Sequence, residues 1–216
     1  PNLWRFVVAA DASLDDQPQI IDGHFARLSD VSGTEQPPLG NEVDLGKFEE
    51  MVRELFDLRK RGGRLFILGL GGSAANAYHM VNDLRNLCNI TAYAPTDKVA
   101  QLTAIANDLG WKHIFSSWFP GLTSSDAIFI LSVGGGTRQV SRPIYDAIDH
   151  VKIRTTTHIL GIVGRDGGYT AKKADCCIII PTVEESRVTP HTEAFQAVVW
   201  HCLVSHPDLQ IRKTKW

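Results

Sequence analysis

The apolar run Leu65-Phe66-Ile67-Leu68 empties into Gly69-Leu70-Gly71-Gly72, and Ser73-Ala74-Ala75 opens a helix. Such a junction gathers backbone N–H groups, a helix N-terminus and a hydroxyl at one point, which suits an anionic oxygen cluster such as phosphate. A second segment repeats the pattern: Ala127 to Leu131, then Ser132-Val133-Gly134-Gly135-Gly136-Thr137. For one turn, tight geometry explains the glycines as well as ligand binding does. Two serine-bearing turns on parallel strands favour a phosphorylated small molecule. Gly69-Leu70-Gly71-Gly72-Ser73-Ala74 also fits the dinucleotide pattern G-x-G-x-x-A. That reading needs an acidic residue at the tip of the second strand to hold a ribose. The nearest candidate, Asp97, lies past that strand behind Pro95-Thr96, and the second turn is left without a role. No nucleotide cofactor is therefore expected.

The elements that must carry these turns follow from periodicity. Phe48, Met51, Val52, Leu55, Phe56 and Leu58 recur at helical spacing, and Gly62-Gly63 ends that helix. An alternation follows: strand 65–70, helix 73–87, strand 90–94, helix 98–109, and an irregular stretch around 111–120. Strand 127–133, helix 137–148, strand 158–163, a short helix near 169–174, strand 176–180 and a last helix over 191–205 complete it. Near-continuous apolar strands separated by helices predict an α/β fold with a doubly wound parallel sheet covered on both faces. Ligands in such sheets sit at the carboxyl ends of the strands, where both serine–glycine turns and Gly164-Arg165-Asp166-Gly167-Gly168 fall. Residues 1–46 lack this periodicity. They read as an extended arm with one short helix around 20–28, ahead of a single domain over 47–216.

With 216 residues and 44% hydrophobic content, the chain can bury a substantial core. Charge is nearly balanced, 22 basic against 24 acidic residues, which argues against nucleic-acid binding and against an anionic membrane surface. No apolar stretch approaches the ~20 residues that span a bilayer. The N-terminal segment, with one Arg and then acidic residues, makes a poor signal peptide. Cys88, Cys176, Cys177 and Cys202 form no C-x-x-C pair, so reduced thiols in a cytoplasmic protein are expected.

Gly71-Gly72-Ser73-Ala74-Ala75-Asn76-Ala77-Tyr78-His79, Leu102-Thr103-Ala104-Ile105-Ala106-Asn107-Asp108 and Gly164-Arg165-Asp166-Gly167-Gly168 together resemble the sugar isomerase (SIS) domain. More narrowly, they resemble its phosphoheptose isomerase branch, whose members interconvert sedoheptulose 7-phosphate and a heptose 7-phosphate aldose. The similarity runs from about Leu45 to the C-terminus. It implies a five-stranded, flavodoxin- or Rossmann-like parallel sheet and a homotetramer with active sites at subunit boundaries. It also implies a zinc ion and a phosphosugar substrate. The family's phosphate-binding hydroxyls fall on Ser73, Ser132 and Thr137, beside the backbone of Gly72, Gly134 and Gly135; its sugar-contacting Thr-Asp pair falls on Thr96 and Asp97. Its His and Glu, four apart on a helix, appear as His79 and Asp83. Its C-terminal Gln and the His eight residues beyond appear as Glu193 and His201. Four departures bear on substrate: Leu70 replaces Asn, Ser-Val-Gly-Gly-Gly-Thr replaces Ser-Thr-Ser-Gly-Asn-Ser, Asp83 replaces the catalytic Glu with a side chain one methylene shorter, and Glu193 replaces the Gln.

His79 and Asp83 share one helix face about 6 Å apart, which suits two ligands of one ion. Glu193 and His201 would complete a set of two histidines and two carboxylates that zinc accepts. Eight helical residues rise roughly 12 Å, so one continuous helix brings Glu193 and His201 to one ion only with difficulty. Either the last helix begins after Glu193 or ligands come from two subunits; the resemblance favours the second. The bland alternatives are a surface His–acid pair and a hydrogen-bonded core histidine at His201. The resemblance assigns proton transfer through an enediol to Asp83 and His201, with His191 a spare acid–base candidate. Two other functions stay open: a non-catalytic phosphosugar-binding or scaffolding protein, and a nicotinamide-dependent oxidoreductase.

Overall fold

Strand β1 (Arg64–Gly69) puts Leu65 and Ile67 on one face and Phe66 and Leu68 on the other, and all four are buried. The same two-sided burial holds in β3 (Ala127–Ser132) and β4 (His158–Val163), where Phe129 and Leu160 face one way and Ile130 and Ile159 the other. A strand apolar on both faces must be covered on both, and parallel pairing with crossover helices does this. The computed structural model describes residues 43–119 and 121–213. With β2 (Thr91–Tyr93) and β5 (Cys176–Ile179) at the edges, the sheet order is β2-β1-β3-β4-β5, parallel throughout. The five-stranded doubly wound sheet expected from the sequence is thus present.

Among the described residues, three helices cover one face: α1 (Leu45–Lys60), α2 (Gly72–Cys88) and α6 (Val188–Val204). Met51, Leu55, Met80, Leu84, Trp200 and Leu203 from these helices are fully buried against Leu65, Ile67, Phe129 and Leu131. The second face is covered by α3 (Val99–Asp108), α4 (Arg142–Arg154) and the short α5 (Gly168–Lys173), with two 3-10 turns, Trp111–His113 and Ser116–Trp118. The chain leaves β1 toward β2 on one side and returns to β3 on the other. The turns after β1 and β3 therefore flank the point where strand order reverses, the place where open α/β sheets hold ligands. Among the described residues no helix is long and apolar enough to cross a membrane.

Three boundaries depart from the periodicity. α1 begins at Leu45, capped by the Asp44 carboxylate on the Lys47 N–H (3.1 Å), and Val43 before it is already buried. The arm assigned to 1–46 and its helix around 20–28 otherwise lie outside the described residues. The helix expected over 137–148 begins at Arg142 and runs to Arg154. Pro143 explains this. It lacks an N–H and is tolerated in the first turn of a helix, whereas a start at Thr137 would bury it in the interior. The last helix begins at Val188, ahead of Glu193, so the option in which it starts after Glu193 does not hold.

Opposite the ligand rim, Asp126 ties the sheet together. Its carboxylate accepts from the Arg64 backbone and guanidinium and from the backbone and hydroxyl of Thr123. Burial alone would raise its pKa. The Arg64 and Thr123 hydrogen bonds outweigh that and hold it at about 2.

Candidate active site

Helices α2 and α6 pack side by side, and at their contact the chain brings together His79, Asp83 and His201. One ligand atom from each lies within 4.8 Å of the others. His79 Nε2 is 3.9 Å and His201 Nε2 4.0 Å from the same Asp83 oxygen, Oδ2. These distances are too long for hydrogen bonds. Asp83 is 3% exposed, and its other oxygen accepts the Asn82 amide at 2.9 Å, which fixes the carboxylate with Oδ2 toward the two rings. His201 Nδ1 lies 2.7 Å from the Ala197 carbonyl. Only a protonated Nδ1 can donate there, so Nε2 carries the lone pair that faces Asp83. Burial, reinforced by nearby His79, pushes the His201 pKa below the usual imidazole value. The Ala197 hydrogen bond and Asp83 act the other way without overcoming it. Trp200 stacks on His201 (centroids 3.6 Å apart) and meets His79 edge-on (4.8 Å), which limits how either ring can turn.

A buried carboxylate oxygen and two imidazole nitrogens with one ring's tautomer set by a carbonyl are the donors and outer partner that zinc sites use. The three residues fit a divalent ion of that kind. Glu193 is not brought to this cluster. It stands two helical turns before His201 on the same continuous helix, and a Cβ at Gly72 would run into both of its carboxylate oxygens. The Glu193 side chain therefore lies over the first glycine turn. His191, one turn into α6, is half-buried and also outside the cluster.

The first turn carries Gly71 at φ 59° as the helix N-cap, a conformation that glycine adopts without strain, and no side chain caps the helix. Ser73 does not present its hydroxyl to solvent. It is 1% exposed and donates to Gln196 Oε1 at 3.0 Å. Gln196, fully buried, also accepts from Asn76 (3.3 Å) and donates to the Ile162 carbonyl of β4 (3.3 Å). This network fixes the start of α2 against α6 and the sheet. Gln196 was missed in the sequence, although a lone amide in the stripe Phe195-Gln196-Ala197-Val198-Val199 is a signal for a buried polar tie.

The second turn is built differently from the first. Because α4 starts at Arg142, no helix N-terminus stands directly behind it. Ser132 Oγ accepts from the Gly135 N–H at 3.1 Å, which leaves its own hydrogen to donate. Thr137 is exposed, and its hydroxyl oxygen accepts from the Gln139 and Val140 N–H groups, closing a small turn. The Gly135 carbonyl accepts from the N–H and hydroxyl of Thr170, and the Gly136 carbonyl from the Tyr169 N–H. A Cβ at Gly135 would strike the Gly167 carbonyl, and one at Gly168 would strike the Gly134 carbonyl. The 164–168 glycines thus support the second turn by close backbone packing. Thr96 and Asp97 form a 3-10 turn after β2, on the same rim as both glycine turns.

No protein-family model matches the chain. A phosphoheptose isomerase from Sulfurimonas denitrificans is 32% identical over 168 residues, 76% of this chain and 82% of that one. One from Geotalea daltonii is 34% identical over 156 residues, 69% of this chain and 78% of that one. A solved phosphoheptose isomerase from Neisseria gonorrhoeae shares the fold with TM-score 0.66 at 23% identity, covering 87% of this chain and 97% of that one. Together with the two-thirds or more of each relative that the chain spans, these identities show that it belongs to the phosphoheptose isomerase family.

Proposed function

We propose that the protein is a ketose–aldose isomerase of a phosphorylated sugar, acting on sedoheptulose 7-phosphate or a close analogue and passing through an enediol. The observation that carries this is the His79–Asp83–His201 cluster on two packed helices, beside two glycine turns at the switch point of a parallel sheet. Family membership supplies the substrate class. The Ser132 hydroxyl and the backbone of Gly134 line the rim for the phosphate, with Thr137 at its margin; Gly135, whose N–H is taken by Ser132 Oγ, shapes the turn instead. The backbone N–H groups of Gly72 and Ser73 line the rim on the first turn, and Thr96 and Asp97 stand where sugar hydroxyls can reach them.

In the forward direction a base removes a proton from C1 of the ketose. The C1–H electron pair forms the C1=C2 bond, and the C2 carbonyl oxygen takes up a proton. Return of a proton to C2, with loss of one from the C1 hydroxyl, gives the aldose. His201, with Nδ1 turned to the Ala197 carbonyl and burial disfavouring its charged form, offers Nε2 to accept a proton. Asp83, buried and aimed at both imidazoles, is suited to steady the imidazolium that forms, or to shuttle the proton itself. A zinc ion would be held by these same groups, His79, Asp83 and His201, and a residue that holds the ion does not serve as the base in the same step; the chemistry zinc supplies when bound is to polarise the carbonyl and stabilise negative charge on the enediolate oxygens. His79 and His201 are about half exposed, so the cluster's open side leaves room for a further ligand from a neighbouring copy. That is compatible with a homotetramer with sites at its boundaries. Exposed Tyr78, Val99, Leu109 and Trp111 offer apolar surface for such packing. Four unpaired cysteines accord with a cytoplasmic setting.

The test is incubation with sedoheptulose 7-phosphate and a panel of other ketose phosphates, with aldose products followed by NMR with and without chelator. Aldose heptose 7-phosphate is the expected product. No aldose from any ketose phosphate would remove the reading.

A further inference from the structure

The first glycine turn already faces an anion in this structure, and that anion is part of the chain. The N-terminus of α2 is a 17-residue helix whose N-cap, Gly71, offers no side chain to its N–H groups. Aligned peptide dipoles leave that end partly positive. Both Glu193 oxygens lie where a Cβ on Gly72 would sit, so the carboxylate rests directly on the first residue of the helix. The position of Glu193 is fixed independently of its charge. Its carbonyl accepts the Asn76 amide at 2.8 Å, and Gln196, one turn on, is tied to Ser73 and Ile162. The carboxylate can leave the turn only by rotating its own side chain, because the backbone behind it is held. The hydroxyl that could have joined an anion there, that of Ser73, donates to Gln196 instead.

We propose that Glu193 is a specificity-determining residue that keeps the phosphate dianion off the α2 N-terminus. Its charge directs that group to the second turn and leaves the first to uncharged hydroxyls, for which its carboxylate is an acceptor. Two negative groups at one helix end repel each other, and the resident one is covalently attached. At the second turn the neighbouring acid, Asp166, is engaged by the Gly168 N–H at 3.1 Å. The atom nearest a Cβ at Gly134 belongs to the stem of Arg165, a cation. The inference rests on the proposed phosphosugar reading for its ligand, but its charge argument applies to any phosphate.

The experiment is calorimetric titration of the full chain and of Glu193→Gln with inorganic phosphate, at low and at ~0.5 M salt. The amide has the shape of the carboxylate, and the anchoring Asn76 bond is to the backbone, so the variant keeps its fold; circular dichroism verifies this. Removal of the charge is expected to tighten phosphate binding tenfold or more at low salt. The gain should shrink at high salt, where the Debye length falls to a few ångströms. A phosphate affinity within twofold of wild type, or weaker, at low salt overturns the proposal. Tightened phosphate binding by a protein that isomerises no ketose phosphate would support this inference while removing the proposed function, so the two fail separately.

Discussion

Replacing Gln196 by Leu tests whether the buried amide network positions the catalytic helix. Gln196 is fully buried, and the Ser73 hydroxyl that donates to it is 1% exposed, so Leu of similar volume strands a buried donor without opening a large cavity. A buried hydrogen-bonding group left unpaired costs about 1–3 kcal/mol. The Asn76 amide keeps its bond to the Glu193 carbonyl, so only one donor is fully orphaned. The expected loss is therefore about 2 kcal/mol, which for a chain of this size lowers Tm by roughly 4–8 °C. Ser73→Ala added to Gln196→Leu removes the orphan itself. The double variant should be more stable than the sum of the two single losses by about 1 kcal/mol or more. Thermal unfolding and urea titration of the three variants supply the cycle. Additivity within ~0.3 kcal/mol would show that Ser73 and Gln196 do not act as a pair and that α6 is placed by apolar packing alone.

Zinc binding followed by competition with a chromogenic chelator should weaken at least tenfold in Asp83→Asn and in His79→Ala. Unchanged affinity in both would show that the cluster is not a metal site. Protons compete with zinc for the His79 and His201 nitrogens and the Asp83 carboxylate, so affinity should fall as pH is lowered; an affinity independent of pH would contradict coordination by these groups. The folded Asp126 pKa of about 2 against an unfolded 3.8 means its stabilisation is complete above pH 4. It should be lost as pH falls toward 2, about 2 kcal/mol in all. Asp126→Asn should remove that pH dependence from urea-unfolding curves; an unchanged acid limb would refute it. Gly135→Ala should destabilise the fold by more than about 1 kcal/mol, because its φ of 65° and the Gly167 carbonyl both oppose a side chain. A neutral effect on urea unfolding would mean the two glycine turns are not packed as described.

The strands were legible because parallel strands buried on both faces have no polar alternation to obscure them, as Leu65–Leu68 and Ala127–Leu131 illustrate. Apolar periodicity alone puts the start of α4 at Thr137, five residues early. Pro143, which was visible in the sequence, is the residue that sets the helix start. His79, Asp83 and His201 were legible through i, i+4 spacing and family motif, and the packing of α2 on α6 brings them together. Local sequence could not show that the Ser73 hydroxyl turns inward, since its partner Gln196 is 123 residues away. Nor could it show where Glu193 points, because a helix fixes the Cα position but not which neighbouring helix end the carboxylate reaches.

Isomerisation of sedoheptulose 7-phosphate in D2O, read by NMR, bears most directly on the chemistry. A base of His201's exposure exchanges its proton with solvent, so aldose heptose 7-phosphate should appear with deuterium at C2. Aldose formed wholly without label, or no aldose at all, would contradict proton transfer through an enediol at this cluster.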